Sequence, residues 1–286
     1  MQNYESNEAE NFSSPPIKKD ISASDLSPVS PDNPPWNSWT AIGVWLASIL
    51  FISVVPVFLV IPYVFLNGGF SVEKVQSNST VILLSIIGVI PAHIFTLGAA
   101  WLVVTKRDKF SFRETLGWQW NGFNVWTCLA ILVGFFILAS IASNYFPGQE
   151  NDFSRILKSS RTAVYIVAFL ATFTAPLVEE VVYRGILYSA FQRTVGVPAA
   201  VALVTFLFAL VHVPQYYPSY STIFLLCLLS LILTLVRVRT QNLLPCIALH
   251  TVFNGSQSLL LILQPYLEKA VENQQSPAAW LFHFFK

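Results

Sequence analysis

The sequence has few charged residues and few cysteines for its length. Asp, Glu, Lys and Arg make up 11% of the 286 residues, less than half of the roughly 25% that is usual in soluble domains. The formal net charge is only +1, which excludes the strongly basic field that nucleic-acid binding needs. The cysteines are Cys128, Cys227 and Cys246. Because they are odd in number and widely spaced, they predict neither a disulfide framework nor a zinc ribbon.

Long apolar segments fill most of the sequence, which is 54% hydrophobic. About 20 consecutive apolar residues are enough to cross a bilayer as a helix, and the first three segments carry no charge and lack the alternation of membrane barrel strands. We therefore predict an all-α, multi-spanning transmembrane helical bundle that interacts with the lipid bilayer and not with nucleic acid. Its seven helices are expected at residues 41–66, 80–104, 123–145, 163–191, 198–213, 221–236 and 243–263.

The uneven placement of charge divides the chain into four regions. Residues 1–38 combine acidic residues with many Ser, Asn and Pro, and such a segment cannot bury enough apolar surface to offset its conformational entropy. We predict a disordered cytoplasmic tail there. Residues 39–145 hold three apolar helices, residues 146–264 hold four helices that include the candidate site, and residues 265–286 form a C-terminal tail.

Basic residues in the loops predict the orientation. Loops on the side of the N-terminus carry more Lys and Arg than the opposite loops, and Lys106, Arg107, Lys109 and Arg113 cluster in one of them. Since basic loops stay in the cytoplasm, we expect a cytoplasmic N-terminus. The pattern suits a multi-pass protein of the plasma membrane or of an internal membrane such as the thylakoid.

Ionisable residues inside the predicted spans are the candidates for chemistry, because each costs several kcal/mol at membrane depth. Glu179 and Glu180 are adjacent in the fourth span, His212 lies in the fifth and His250 in the seventh. His93 lies beside Pro91 in the second span, where we expect it to bond a carbonyl group that the proline leaves free.

Helical spacing gives the two glutamates different surroundings. Residues four apart share one face of a helix, so Arg184 can neutralise Glu180, while Glu179 is rotated by about 100° and left free. The same spacing places Phe208 with His212 and His250 with Asn254. From the rise of about 1.5 Å per residue, we expect Glu179, His212 and His250 to meet at mid-depth.

A free carboxylate with two imidazoles in a dry site can activate water. Glu179 would act as general base, a histidine would polarise the water, and Asn254 would donate a hydrogen bond to an oxyanion. Hydrolysis of an amide fits this set. A Glu and two His also match one type of catalytic zinc site, although an HExxH motif is absent. A divalent metal such as zinc, held by Glu179, His212 and His250, therefore remains an alternative.

Three motifs follow one another on successive predicted helices: Glu179-Glu180-xxx-Arg184, Phe208-xxx-His212 and His250-xxx-Asn254. In this order they resemble the motifs of the CAAX-prenyl-protease and bacteriocin-processing family (CPBP, also called Abi), a family of intramembrane endopeptidases often labelled metalloproteases. The resemblance covers roughly residues 163–260. It implies a hydrolase that acts on a membrane-associated protein or peptide, either a prenylated CAAX protein or a peptide undergoing maturation.

The resemblance also implies a role for each motif residue. Glu179 and His212 would activate the attacking water, and His250 and Asn254 would stabilise the tetrahedral intermediate. Glu180, Arg184 and Phe208 would support them. Two other classes of function fit the same residues: a membrane scaffold or chaperone of the same fold without catalysis, and a proton-coupled transporter, since buried carboxylates and histidines also form proton relays.

Overall fold

The structure is a computed structural model that describes residues 29–69, 71–120 and 123–273. This part of the chain is helical and contains no β-strand. Two π-helical segments interrupt the longest span: the first π segment (Leu170–Thr174) and the second π segment (Val181–Leu187). The α-helices are α1 (Ser38–Leu66), α2 (Val72–Ser77), α3 (Ser79–Ile87), α4 (Val89–Thr105), α5 (Phe112–Leu116), α6 (Val125–Tyr145), α7 (Asp152–Ser159), α8 (Arg161–Phe169), α9 (Ala175–Glu180), α10 (Tyr188–Val195), α11 (Val197–Tyr216), α12 (Tyr220–Thr240) and α13 (Leu244–Asn273).

Seven helical spans of the described chain are long and apolar enough to cross a membrane. They confirm the predicted all-α bundle and make the chain an integral membrane protein. Two spans are composite, since α3 continues into α4, and α8 continues through both π segments and α9 into α10. The spans are Ser38–Leu66, Ser79–Thr105, Val125–Tyr145, Arg161–Val195, Val197–Tyr216, Tyr220–Thr240 and Leu244–Lys269.

Polar caps fix where several spans begin. An Asn or Ser side chain accepts a hydrogen bond from a first-turn amide that has no partner within the helix. Asn37 caps α1 and Asn78 caps α3 in this way. Asn124 accepts from the Thr127 amide at 2.8 Å, which is why α6 begins at Val125 and not at the predicted residue 123.

The N-terminal spans cross closely at a glycine. Gly88 lies between α3 and α4, and a Cβ atom at this position would lie 2.5 Å from Cα of Pro56 in α1. Only a residue without a side chain allows this approach. The contact holds α4, which carries His93, against α1.

Residues 29–37 pack against the bundle. Asp32 pairs with the buried Arg237 of α12 at 3.1 Å and accepts a hydrogen bond from Gln192 of α10 at 3.0 Å. Trp36 is buried and donates from Nε1 to the carbonyl of Ile186. Residues 1–28 of the predicted disordered tail (residues 1–38) lie outside the described residues. Residues 29–37 are held against the bundle, because Arg237 and Ile186 supply partners that composition alone does not reveal.

The last helix continues past the predicted end of the bundle. Helix α13 runs to Asn273, so residues 265–273 of the predicted C-terminal tail extend this helix. The remaining residues, 274–286, lie outside the described chain.

Candidate active site

The two glutamates of the first motif lie on a short α-helix between two π segments. Each π turn closes a hydrogen bond to the fifth residue and locally widens the helix, a feature that is frequent at functional sites. Helix α9 therefore presents Glu179 and Glu180 between two irregular turns of one span.

Glu180 and Arg184 form a fully buried ion pair, as their spacing predicts. Arg184 Nη1 donates to Glu180 Oε1 at 2.9 Å, and both side chains are 0% exposed. The other nitrogens of the guanidinium donate to α12: Nε to the Thr234 hydroxyl at 3.3 Å, and Nη2 to the carbonyl and hydroxyl oxygens of Ser230, each at 2.8 Å. The guanidinium charge is thus both paired and hydrogen-bonded, whereas Oε2 of Glu180 has no partner among the described residues.

His250 connects the two glutamates. Its Nδ1 lies 2.8 Å from Glu180 Oε1, and because the carboxylate accepts, this hydrogen bond places the proton of a neutral ring on Nδ1. Its Nε2 lies 3.7 Å from Glu179 Oε2. The ring is 2% exposed, so Glu180 holds it in one orientation towards Glu179.

His212 approaches Glu179 from the other side. Its Nδ1 lies 2.7 Å from the Phe208 carbonyl oxygen, which can only accept, and its Nε2 lies 4.0 Å from Glu179 Oε1. Each carboxylate oxygen of Glu179 thus faces the Nε2 atom of one histidine. The structure brings together the three residues that the sequence places at one depth.

Exposure separates the adjacent glutamates. The Glu179 side chain is 24% exposed and the Glu180 side chain is 0% exposed. Glu179 reaches a cavity of about 1850 Å³ that His212, His250 and Asn254 also line. Most of the remaining lining is apolar and comes from α4, α6, α7, α11, α12 and α13. The site therefore combines one accessible carboxylate with a largely apolar enclosure.

Asn254 and Phe208 lie beside the central residues. Asn254 Nδ2 donates to the Ala171 carbonyl of the first π segment at 2.9 Å. An amide group has two N–H donors, so the second is the one that could serve an oxyanion. Phe208 is buried, with its ring centroid 4.6 Å from that of His212 and 5.0 Å from Cζ of Arg184. It contacts both groups and also lines the cavity.

Glu179, His212 and His250 carry the donor types that zinc takes, but their spacing is wide. The Nε2 atoms lie 3.7 and 4.0 Å from the carboxylate oxygens, whereas ligands about 2.0 to 2.1 Å from one tetrahedral zinc lie about 3.3 Å apart. Within residues 29–69, 71–120 and 123–273, no group of three or more His, Cys, Asp or Glu side chains is arranged to hold a metal ion. The arrangement as it stands does not fit zinc, and the zinc set stays a prediction.

Some residues of the site were not singled out from the sequence. Ser230 and Thr234, which bind Arg184, lie four residues apart within the apolar stretch 223–236 of α12, and this spacing was an available signal. His93 bonds the Thr174 hydroxyl at 3.0 Å. The expected bond from His93 to a carbonyl freed by Pro91 is not formed, because the first π segment offers this hydroxyl nearby.

Comparison with known protein families now adds to this geometry. Residues 161–256 match the family model described as type II CAAX prenyl endopeptidase, Rce1-like. The match begins at α8 and ends within α13, so it contains all three motifs, and it confirms the predicted resemblance to the CPBP family. Comparisons with curated proteins and with solved structures found no match. The Rce1-like match supports a CAAX-type intramembrane protease.

Proposed function

We propose that this protein is an intramembrane endopeptidase that cleaves a membrane-associated protein or peptide with water activated by Glu179 and His212. The observation that carries the proposal is the position of Glu179: it is accessible from the cavity, it faces two imidazole Nε2 atoms, and its neighbour Glu180 takes up the arginine. A carboxylate that is not neutralised by Arg184 is available as a base.

The distance between Glu179 and His212 suits a shared water molecule. Nδ1 of His212 donates to Phe208, so Nε2 of the neutral ring is an acceptor. A water oxygen about 2.8 Å from two acceptors, with one O–H directed at each, holds those acceptors about 4.4 Å apart. The observed separation of 4.0 Å is close to this value. We infer that Glu179 and His212 orient the same water molecule.

Each step of the proposed hydrolysis has a residue of this chain to carry it out. Glu179 takes one proton from the water as its oxygen attacks the scissile carbonyl carbon, which gives a tetrahedral oxyanion. The second N–H of Asn254 donates to this oxyanion, and His250 adds a donor from Nε2 when both of its nitrogens carry protons. Glu179 finally passes its proton to the nitrogen of the breaking bond, and the amine and the carboxylic acid leave.

Glu180, Arg184 and Phe208 support the residues that carry out this chemistry. Glu180 orients His250, Arg184 balances the charge of Glu180, and Phe208 packs on His212. The basic loops support a cytoplasmic N-terminus.

Cleavage by the purified protein in lipid nanodiscs tests the proposal. The first probe is a farnesylated CAAX reporter peptide, because the matching family is described by that activity. We expect the wild type to cleave it and Glu179→Gln to lose at least about 100-fold of the rate. Glu73→Gln, the same change at an exposed position outside the spans, should cleave like the wild type. Cleavage by Glu179→Gln at the wild-type rate would contradict the proposal.

A second measurement covers substrates other than this probe. Membrane-protein N-termini are compared between cells that express equal amounts of wild type and Glu179→Gln. Termini that disappear in the variant would name the substrate. Unchanged termini with an intact cellular phenotype would overturn the protease and leave the scaffold function.

A further inference from the structure

His93 lies outside the three motifs but within the same cavity. It is located on α4, is 7% exposed, and lines the cavity with Glu179, His212 and His250. It bonds Thr174, which lies five residues before Glu179 on the same helical span. No step of the proposed hydrolysis uses this imidazole.

Hydrogen bonding fixes which nitrogen of His93 carries the proton. Thr174 donates its hydroxyl proton to the Leu170 carbonyl at 3.2 Å. Since a hydroxyl has only one proton, we assign the proton of the 3.0 Å contact with His93 to Nδ1, with the Thr174 oxygen as acceptor. The neutral ring then has a lone pair on Nε2, so this atom is an acceptor.

The Nε2 atom of His93 borders the cavity. Among the described residues, the fully buried side-chain atoms without a partner are Glu180 Oε2, Thr205 Oγ1, and Nε and Nη1 of Arg237. His93 Nε2 is not one of them, and no described donor bonds it. An atom that is neither enclosed nor bonded, on a residue that lines the cavity, is open to the contents of the cavity.

We propose that His93 is a further substrate-binding residue, whose Nε2 accepts a hydrogen bond from a backbone N–H of the bound polypeptide next to the scissile bond. This inference rests on the proposed function. A peptide that enters a largely apolar cavity loses water from its amide groups, and an unpaired buried N–H is costly. His93 supplies an acceptor in the cavity that Glu179 also lines, and Thr174 holds that acceptor in place.

The alternative is that His93 only anchors the first π segment through Thr174, and two substitutions separate these roles. His93→Asn can keep a donor near the position of Nδ1 but lacks an acceptor near the position of Nε2. His93→Gln places its amide oxygen near the position of Nε2 and loses the donor to Thr174. If His93 binds substrate, Asn raises KM by about 5- to 10-fold with a smaller change in kcat, and Gln restores KM towards the wild-type value.

Binding of the farnesylated CAAX peptide is measured in parallel in the inactive Glu179→Gln background, with thermal unfolding recorded for every variant. We expect His93→Asn to weaken binding by about 5- to 10-fold and His93→Gln to weaken it less. Weaker binding by His93→Gln than by His93→Asn would overturn the role of His93. Equal binding by these two variants and by the Glu179→Gln protein alone would also overturn it. Binding without any cleavage by the wild type would contradict the proposed protease function, and the binding comparison would still test the role of His93. Absence of binding in the Glu179→Gln background would overturn the inference for His93 itself.

Discussion

The two π segments that flank Glu179 and Glu180 are held in place in different ways. All seven residues of the second π segment are buried, and buried groups fix it: Arg184 through Glu180 and α12, and Ile186 through the indole of Trp36. In the first π segment only Leu170 is buried. This segment is held by hydrogen bonds to three side chains outside it: Asn254 donates to the Ala171 carbonyl, the Thr172 hydroxyl donates to Ser258, and His93 bonds the Thr174 hydroxyl.

The two glutamates between these segments also differ, in their exposure and in their partners. Glu180 lies directly before the buried second π segment, and Arg184 of that segment neutralises its charge. Glu179 lines the cavity and faces His212 and His250. One carboxylate stabilises the fold and its neighbour is available for chemistry. Substitutions in the two segments should therefore affect different properties, stability in the second and cleavage in the first.

The largest expected effect follows from removing the positive charge of the second π segment. Arg184→Met leaves Glu180 buried and unpaired, which should cost about 3 to 5 kcal/mol of stability. We expect a large fall in the Tm of the protein in nanodiscs, or loss of folded protein. The double variant with Glu180→Gln removes both charges and should recover much of the Tm. Equal Tm values for wild type and Arg184→Met would contradict the account.

Asn254→Ala tests the first π segment, and its effect is measured as the rate of cleavage. It removes the bond to Ala171 and the second N–H donor, and we expect cleavage to fall by about 100- to 1000-fold, as for loss of an oxyanion donor. Thr172→Val is the matched control, because it removes only the bond between Thr172 and Ser258 in the same segment. It should cost about 1 kcal/mol of stability and leave most of the activity. A similar loss of activity in both variants would mean that Asn254 only holds the segment.

Trp36→Phe tests how residues 29–37 stabilise the second π segment. It removes the 3.1 Å hydrogen bond from the indole to the Ile186 carbonyl, so we expect a loss of about 1 kcal/mol. Thermal unfolding measures this loss. Because Trp36 lies away from the cavity, kcat of the folded variant should stay within about twofold of the wild type. A fall in kcat without a change in Tm would contradict this separation.

The smallest effect is expected at the surface before α7. Lys158 holds the pKa of Glu150 below its usual range, chiefly through their hydrogen bond, and both side chains are exposed. A lowered folded pKa gives stability that is present above the unfolded pKa and lost as pH falls through the folded pKa. Because exposed pairs contribute little, Glu150→Gln should leave the Tm at neutral pH unchanged. A measurable fall would show that α7 depends on this pair.

Residue patterns predicted much of this arrangement. Seven apolar runs identified the seven spans, and the spacing of four residues identified the Glu180–Arg184 pair, because both are local properties of a helix. The π segments, the docking of Asp32 on Arg237 and the bond from His93 to Thr174 depend on residues distant in sequence. Helix periodicity cannot predict such contacts. The two motif histidines were found because ionisable residues are rare in these spans, whereas Thr174 resembles the threonines of any membrane helix.

The most direct test of the account compares Glu179→Gln with Glu180→Gln in one nanodisc preparation, with cleavage of the farnesylated peptide and Tm measured for both. The two changes are chemically the same and one residue apart. We predict that Glu179→Gln loses at least about 100-fold of the cleavage rate with an unchanged Tm, and that Glu180→Gln lowers the Tm because Arg184 loses its buried counter-charge. Equal effects of the two substitutions on both properties, or full cleavage by Glu179→Gln, would contradict the division of roles between the two glutamates.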